Sequence, residues 1–426
     1  MSKKPIYRLN DVFVAGGLPD ITYVYRDRLK LEQKLERALA KPHHFTSITG
    51  TSKSGKTVLL RNLLERKNFV GVDGGQVKDV KSLWLTVADR LAQPSSITTI
   101  VEGSSGTQKT AKFGVSAKIP QLFTLNIAAD HGTSKTSKTA VSTQVLVDLQ
   151  NKCGDFLLQN DVILVIDDFH YIKRDEQTEI VRNLKNLVFN GLKVVLLSVP
   201  YRAYEAIQAE VEITGRFVHV NVPDWDGTDL CEIAVKGFKA LNVDFPKETT
   251  KLFACEANGS PQLMQAFCWE ACLELEIVET RKRLFRVPKK WDPSNVFENI
   301  ATDAGQPIYD KLASGPQSRS DRIDRPLNTG ENVDIYQALL FAIAQTGPKK
   351  SLSYDEIRAS LSTALLDKVP QKIEVSNALN HLAKISKSIS EDSRPMDWVE
   401  NDLRLEIPDP MFRFFLKWRL TKKKAD

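Results

Sequence analysis

Eight residues constrain this chain more than any others: Gly50-Thr51-Ser52-Lys53-Ser54-Gly55-Lys56-Thr57. They match G-x-x-x-x-G-K-(S/T), the pattern of a loop that cradles phosphate. The two glycines let the backbone turn with its N–H groups facing inward, which makes an anion-binding nest. The helix that must follow adds the positive end of its dipole at the same spot. In such a loop Lys56 reaches the β- and γ-phosphates of a nucleotide, and the Thr57 hydroxyl holds Mg²⁺. A solvated Gly/Ser/Lys turn would show the same string without flanking structure, but here both flanks are present. Phe45-Thr46-Ser47-Ile48-Thr49 reads as a strand ending at Gly50, and Val58, Leu59, Leu63 and Leu64 recur at helical spacing before Arg66-Lys67.

A second motif stands 111 positions after Lys56, where Val162-Ile163-Leu164-Val165-Ile166 runs into Asp167-Asp168. A strand this apolar belongs in the middle of a parallel sheet, buried on both faces. Ligands of such sheets bind beyond the carboxyl ends of the strands, where both aspartates emerge. Asp167 is placed to hold Mg²⁺, directly or through water, and Asp168 to orient or deprotonate an attacking water. Helix capping or turn formation would explain the pair taken alone; the phosphate loop in the same chain favours the chemical reading. The spacing is long for two neighbouring motifs, and residues 94–140 account for the excess. They are rich in Ser, Thr, Gly and Lys, with alternating stretches at Phe113–Ile119 and Leu122–Ile127. They read as an insertion bearing a β-hairpin or as a disordered connector.

Outside the insertion the chain alternates strand and helix, as α/β folds do. Phe69-Val70-Gly71-Val72 is a strand, and Val80, Leu83, Trp84, Val87 and Leu91 mark an amphipathic helix. Val145, Leu149, Cys153 and Phe156 mark another, and Ile180, Val181, Leu184, Leu187 and Val188 a third. The strand Val194-Val195-Leu196-Leu197 ends at Ser198, whose hydroxyl either touches the γ-phosphate or the attacking water, or caps the turn before Pro200. Thr214-Gly215-Arg216 precedes a strand from Phe217 to Val222. An arginine near a nucleotide can stabilise transition-state charge in its own subunit or in a neighbour's, and Arg216 and Arg202 compete for that role.

Upstream of the loop, Tyr23-Val24-Tyr25-Arg26 either covers an adenine ring or packs as an aromatic strand end, and a helix is expected over Asp27–Ala40. From Asp224 the pattern is helical, with Gly259-Ser260-Pro261 as a helix start. Arg281-Lys282-Arg283-Leu284-Phe285-Arg286 and Lys289-Lys290 form the densest basic run, either a phosphate-backbone contact or a solvated helix end. The last part holds three helical patterns followed by Trp398-Val399 and Leu403–Ile407 as a two-stranded wing, the order of a winged helix, which docks DNA or protein. The expected organisation is an N-terminal segment (1–44), a phosphate-loop core (45–223), a helical lid (224–280), a linker with the basic run (281–333) and a winged-helix domain (334–426).

With 42% hydrophobic and 26% charged residues the composition is that of an ordinary globular protein. No apolar run approaches the length of a membrane span, and Met1-Ser2-Lys3-Lys4-Pro5 leads into no apolar signal core. Five cysteines without C-x-x-C spacing point to a reducing cytoplasm and to core packing rather than metal. A net charge of +6 permits nucleic-acid contact without arguing for it.

Taken together, the phosphate loop, the strand ending Asp167-Asp168, the strand ending Ser198, the helical lid and the winged helix resemble the AAA+/STAND ATPases, and within them the initiator-like and archaeal-ATPase-like clades. That resemblance implies an α/β core on a parallel P-loop sheet, with ATP and Mg²⁺ as ligands. It makes Tyr25 and Arg26 part of an adenine-covering motif, Ser198 a sensor, and Pro261 part of the lid turn near the nucleotide. Ile407-Pro408-Asp409-Pro410-Met411-Phe412-Arg413-Phe414 is similar to the D-P-x-x-R/F element that ends the archaeal ATPase wing. The resemblance implies a nucleotide switch that controls self-association or a partner effector, in mobile-element or phage-defence settings. Its alternatives are a DNA-binding initiator or transposition regulator, and an ATP-bound scaffold without turnover.

Two departures bear on rate. Many relatives carry Asp-Glu where this chain has Asp167-Asp168, and initiator-like members carry an arginine where this chain has Gln262. A shorter carboxylate and a missing cation both weaken hold on the reacting groups. Steady-state ATP hydrolysis by the purified protein is therefore expected to be slow; turnover on the order of tens per second, well inside the usual enzyme range, would contradict this.

Overall fold

The computed structural model describes residues 5–92, 149–199, 215–317, 322–347, 349–389 and 394–420. The 94–140 insertion, Arg202, Thr214 and the basic tail after residue 420 lie outside the described residues. The chain divides into two compact units. One comprises Lys30–Gly50 and Leu59–Val222; the other comprises Met1–Leu29, Thr51–Val58 and Pro223–Asp426. No helix among the described residues is long and apolar enough to cross a membrane.

The first unit is built on a five-stranded sheet of β1 (Phe45–Gly50), β2 (Phe69–Asp73), β3 (Ile163–Asp167), β4 (Val194–Ser198) and β5 (Phe217–Val222), in the order β2-β3-β4-β1-β5. All its pairings are parallel. The apolar residues of β3 and β4 are buried at every position because both strands are interior. Helices Val80–Ala92 and Arg174–Phe189 bury Leu83, Trp84, Val87, Ile180, Val181 and Leu184 in one core with the sheet. The Trp84 indole donates to Asn183 Oδ1 at 2.8 Å, so the one polar atom of that large side chain is satisfied. The helix before β1 runs over Leu31–Ala40, shorter than the expected Asp27–Ala40, and starts after Lys30 in the left-handed region.

The second unit holds two hydrophobic cores. One gathers the helices Gly227–Ala240, Lys247–Glu256 and Pro261–Glu274. Leu9, Val12, Phe13 and Val24 join that core, so the N-terminal stretch is packed into the helical region. Phe13 lies so close to Gly237 that a Cβ there would meet its ring at 2.2 Å. The other core is that of the winged helix. Helices Ile335–Gln345, Tyr354–Ala364 and Lys372–Ile389 pack with a three-stranded antiparallel sheet of Ser351–Ser353, Arg404–Glu406 and Asp397–Val399. The expected wing had two strands; the third, Ser351–Ser353, is too short to show a period. Its last residue, Ser353, opens the next helix through a reciprocal capping box with Glu356.

Residues 281–333, read from sequence as a linker, contain the helices Ser294–Ala304 and Gln306–Ala313. Val296, Phe297 and Ala301 sit in the helical-region core, while Leu312 and Ala313 sit in the winged-helix core. The two helices are short, about three and two turns, and polar residues within them hide the helical period.

The carboxyl end of β3 is fixed by a close backbone approach. A Cβ at Gly74 would stand 2.4 Å from the carbonyl oxygen of Asp168, so only glycine fits after β2. Gly74→Ala is expected to displace the Asp167–Asp168 turn and to lower stability by about 1–3 kcal/mol, as overpacking does. Urea unfolding checks this, and an unchanged midpoint would refute the assigned role.

Candidate functional site

β1 leaves the sheet at Gly50 and the chain enters the phosphate loop. Within the loop Lys53 has φ +63° and Gly55 has φ +88°, both left-handed, and the helix Lys56–Leu64 follows at once. Left-handed residues flanking Ser54 turn successive N–H groups toward one side, as an anion nest requires. The Ser54 N–H closes the turn onto the Thr51 carbonyl at 3.2 Å. Lys56 folds back on its own loop, its Nζ donating to the Thr51 carbonyl at 2.9 Å. The Ser54 hydroxyl is buried and has no hydrogen-bond partner among the described residues.

The loop is held from outside by residues the motif does not predict. The Trp225 indole donates to the Ser54 carbonyl at 2.9 Å, and the Thr51 hydroxyl donates to Asp224 Oδ1 at 2.5 Å. Asp224 also takes Lys350 Nζ at 2.7 Å on its other oxygen. Burial alone would raise the Asp224 pKa, but the hydrogen bonds from Lys350 and Thr51 outweigh it and hold the carboxyl below its ordinary value. Lys53 Nζ lies 3.2 Å from both carboxylate oxygens of Asp409. No sequence signal marked Asp224, Trp225 or Lys350, because their roles depend on partners far away in the chain.

Arg26 is buried, and its guanidinium is engaged on every side. Nε donates to Asp229 at 3.1 Å, and both terminal nitrogens donate to the carbonyl of Pro223, with Nη2 also reaching that of Asp224. Its plane lies 4.9 Å from the centre of the Trp225 ring. Burial lowers its pKa, opposed by Asp229. Arg26 therefore braces the very turn that grips the phosphate loop. Tyr25 is 52% exposed and stands edge-on to Tyr23. Pro261 is the first residue of its helix, behind the Ser260 cap, and the Gly259 carbonyl accepts from the Trp225 N–H at 3.4 Å.

In the sheet unit, Asp167 is buried at the end of β3, level with Asp73 of β2. Asp167 Oδ1 accepts from the Asp168 N–H at 2.9 Å, and Asp168 itself is left-handed at φ +49°. A buried Gln177 donates to the carbonyls of Phe169 and Ile172, pinning the turn that follows. Ser198 is buried at the end of β4, opposite Thr49 of β1. Asp167, Ser198 and Gly50 thus share the carboxyl end of one parallel sheet.

Arg216 is not brought to that end. It precedes Phe217, which pairs with Phe45 at the opposite, amino end of the strands, and its guanidinium lies over the Phe189 ring at 5.3 Å. Gly50 is level with Val222, six positions beyond Arg216 and about 20 Å along the strand. Sequence order placed it near the motif, but a parallel strand begins at the far edge of the sheet.

Residues 40–206 match the family model of the AAA domain. This part of the chain is an AAA domain, of the P-loop ATPase class. Comparison with solved structures finds the Walker-type ATPase of Pyrococcus abyssi, 16% identical, covering 92% of this chain and 96% of that one, with a TM-score of 0.54. It also finds the Orc2 protein of Aeropyrum pernix in ADPNP–ADP complexes, 12% identical over 97% of this chain and 98% of that one, TM-score 0.48. The Orc1 protein of Aeropyrum pernix in complex with DNA is 15% identical over 90% and 89%, TM-score 0.45. The likeness of fold rests on the first of these. A sequence comparison with curated proteins gives no match.

Proposed function

We propose that this chain is an ATP-binding, slowly hydrolysing switch whose nucleotide state acts through the winged helix on self-association or on a partner protein. The observation that supports it best is the loop itself. Left-handed Lys53 and Gly55 lead straight into the helix Lys56–Leu64, and a buried Ser54 hydroxyl has no partner among the described residues. That cradle fits a chain of phosphates.

When bound, Mg²⁺-ATP would supply a γ-phosphoryl group for transfer to water with ADP as the leaving group, and the metal would offset phosphate charge. The chain's own groups then have separate tasks. Lys56, released from the Thr51 carbonyl, neutralises phosphate charge. Gly50 to Gly55 supply backbone N–H groups, with Thr51, Ser52, Lys53 and Ser54 shaping their direction. The Thr57 hydroxyl and the Asp167 carboxylate hold the metal, the usual arrangement of one or two protein oxygens plus phosphates. Asp168 orients the attacking water, and Ser198, at the same sheet end, hydrogen-bonds that water or the phosphate. Tyr25, exposed beside the bracing Arg26, and Pro261 at the lid turn border the base. Arg216 can serve only a neighbouring copy, because its own strand carries it to the far end of the sheet.

The winged helix belongs to the same compact unit as the phosphate loop, which favours a switch over a scaffold that merely retains ATP. Lys56→Ala is expected to weaken Mg²⁺-ATP binding at least about 10-fold, the loss of one charge-assisted contact, with unchanged far-UV circular dichroism. Equal affinity of the variant and the wild type would refute the assignment of this loop as the nucleotide site.

A further inference from the structure

The phosphate loop carries a second lysine, Lys53, that the motif does not require. Its left-handed backbone aims the side chain out of the loop, where Nζ sits 3.2 Å from each carboxylate oxygen of Asp409. The pair is largely withdrawn from water, with side-chain exposures of 29% and 10%. It is therefore less screened than a surface ion pair.

Asp409 ends the wing and starts the final helix. Its Oδ1 accepts from the N–H groups of Met411 and Phe412, so one carboxylate both caps the helix Pro410–Phe415 and binds the loop. Four residues past that cap, Arg413 donates to the Asn258 carbonyl at 3.2 Å. Burial lowers its pKa while Asp224 and Asp409 oppose that, so all three charges belong to one cluster. A second link runs parallel to the first: Lys350, immediately before the wing strand Ser351–Ser353, binds Asp224, which holds Thr51.

We infer that Asp409 is a positioning residue that clasps the phosphate loop through Lys53, and that nucleotide phosphates compete with it for that lysine. This rests on the loop being the nucleotide site. A polyphosphate in the nest brings at least two negative charges close to the Lys53 ammonium. Drawing the ammonium inward breaks the contact with Asp409, and the wing loses this link to the loop. By reciprocity, a clasp that nucleotide weakens must itself weaken nucleotide binding. Lys53 and Asp409 thus convert occupancy of the loop into freedom of the wing.

The test compares wild type, Asp409→Asn and Lys53→Met. Asparagine caps a helix about as well as aspartate, so Asp409→Asn removes the charge and keeps the Met411 contact. Two quantities are read on the full chain: equilibrium affinity for Mg²⁺-ATP, and amide hydrogen exchange over residues 404–417. Asp409→Asn is expected to bind ATP about 5-fold more tightly, the low end of measured site-to-site coupling. Lys53→Met should show no such gain. In wild type, saturating ATP should speed exchange over 404–417, whereas both variants should exchange fast without nucleotide. Wild type that binds ATP with unchanged exchange there, or Asp409→Asn with wild-type affinity, would overturn the clasp. A folded wild type that binds no ATP would overturn the nucleotide site itself.

Discussion

Everything in this molecule turns on eight residues, Gly50 to Thr57, whose backbone must hold an open nest. Local contacts such as Ser54 N–H to the Thr51 carbonyl bind the loop to itself, but left-handed Lys53 adds strain that its surroundings must offset. The fold supplies that support from outside. Trp225 takes the Ser54 carbonyl, Asp224 takes the Thr51 hydroxyl, and Asp409 takes the Lys53 ammonium. Each of these groups binds an atom pointing away from the nest, which leaves the inward N–H groups for an anion.

The supports are themselves supported. Arg26 bonds the carbonyls of Pro223 and Asp224 and stacks on Trp225, so a residue near the start of the chain holds the turn that holds the loop. Its own charge is balanced by Asp229, which also pairs with Arg28 at the surface. Breaking a pair so deeply buried would leave an uncompensated charge, so the arrangement is rigid at Arg26 and softer at the more exposed Lys53 and Lys350. Rigid bracing on one side and weaker charged links on the other suit a loop that must keep its shape while a neighbouring element moves.

Much of this was legible from sequence because local physics decides it. The continuous apolar runs of β3 and β4 demanded interior parallel strands, and the glycine spacing of residues 50–55 demanded a turn. The Gly259-Ser260-Pro261 start of the next helix was equally plain. What stayed hidden depends on distant partners. Asp224 and Trp225 look like an ordinary loop until the phosphate loop is beside them. The helices Ser294–Ala304 and Gln306–Ala313 are short, follow a basic, proline-bearing stretch, and read in sequence as linker. Arg216 lies at the amino end of its strand for a topological reason, since nearness in sequence to a motif says nothing about which end of a parallel strand a residue occupies. Arg26 had a recognisable position, while its partners, Pro223, Asp224 and Asp229, lie some 200 residues on.

If the wing senses the loop through one ion pair, the two charges must act as a unit. A double-mutant cycle on Mg²⁺-ATP affinity measures this directly, using Lys53→Met, Asp409→Asn and the two combined. Asp409 acts only through Lys53, so the combined variant should bind ATP as Lys53→Met does alone. A gain in affinity from Asp409→Asn that is as large without Lys53 as with it would contradict the account.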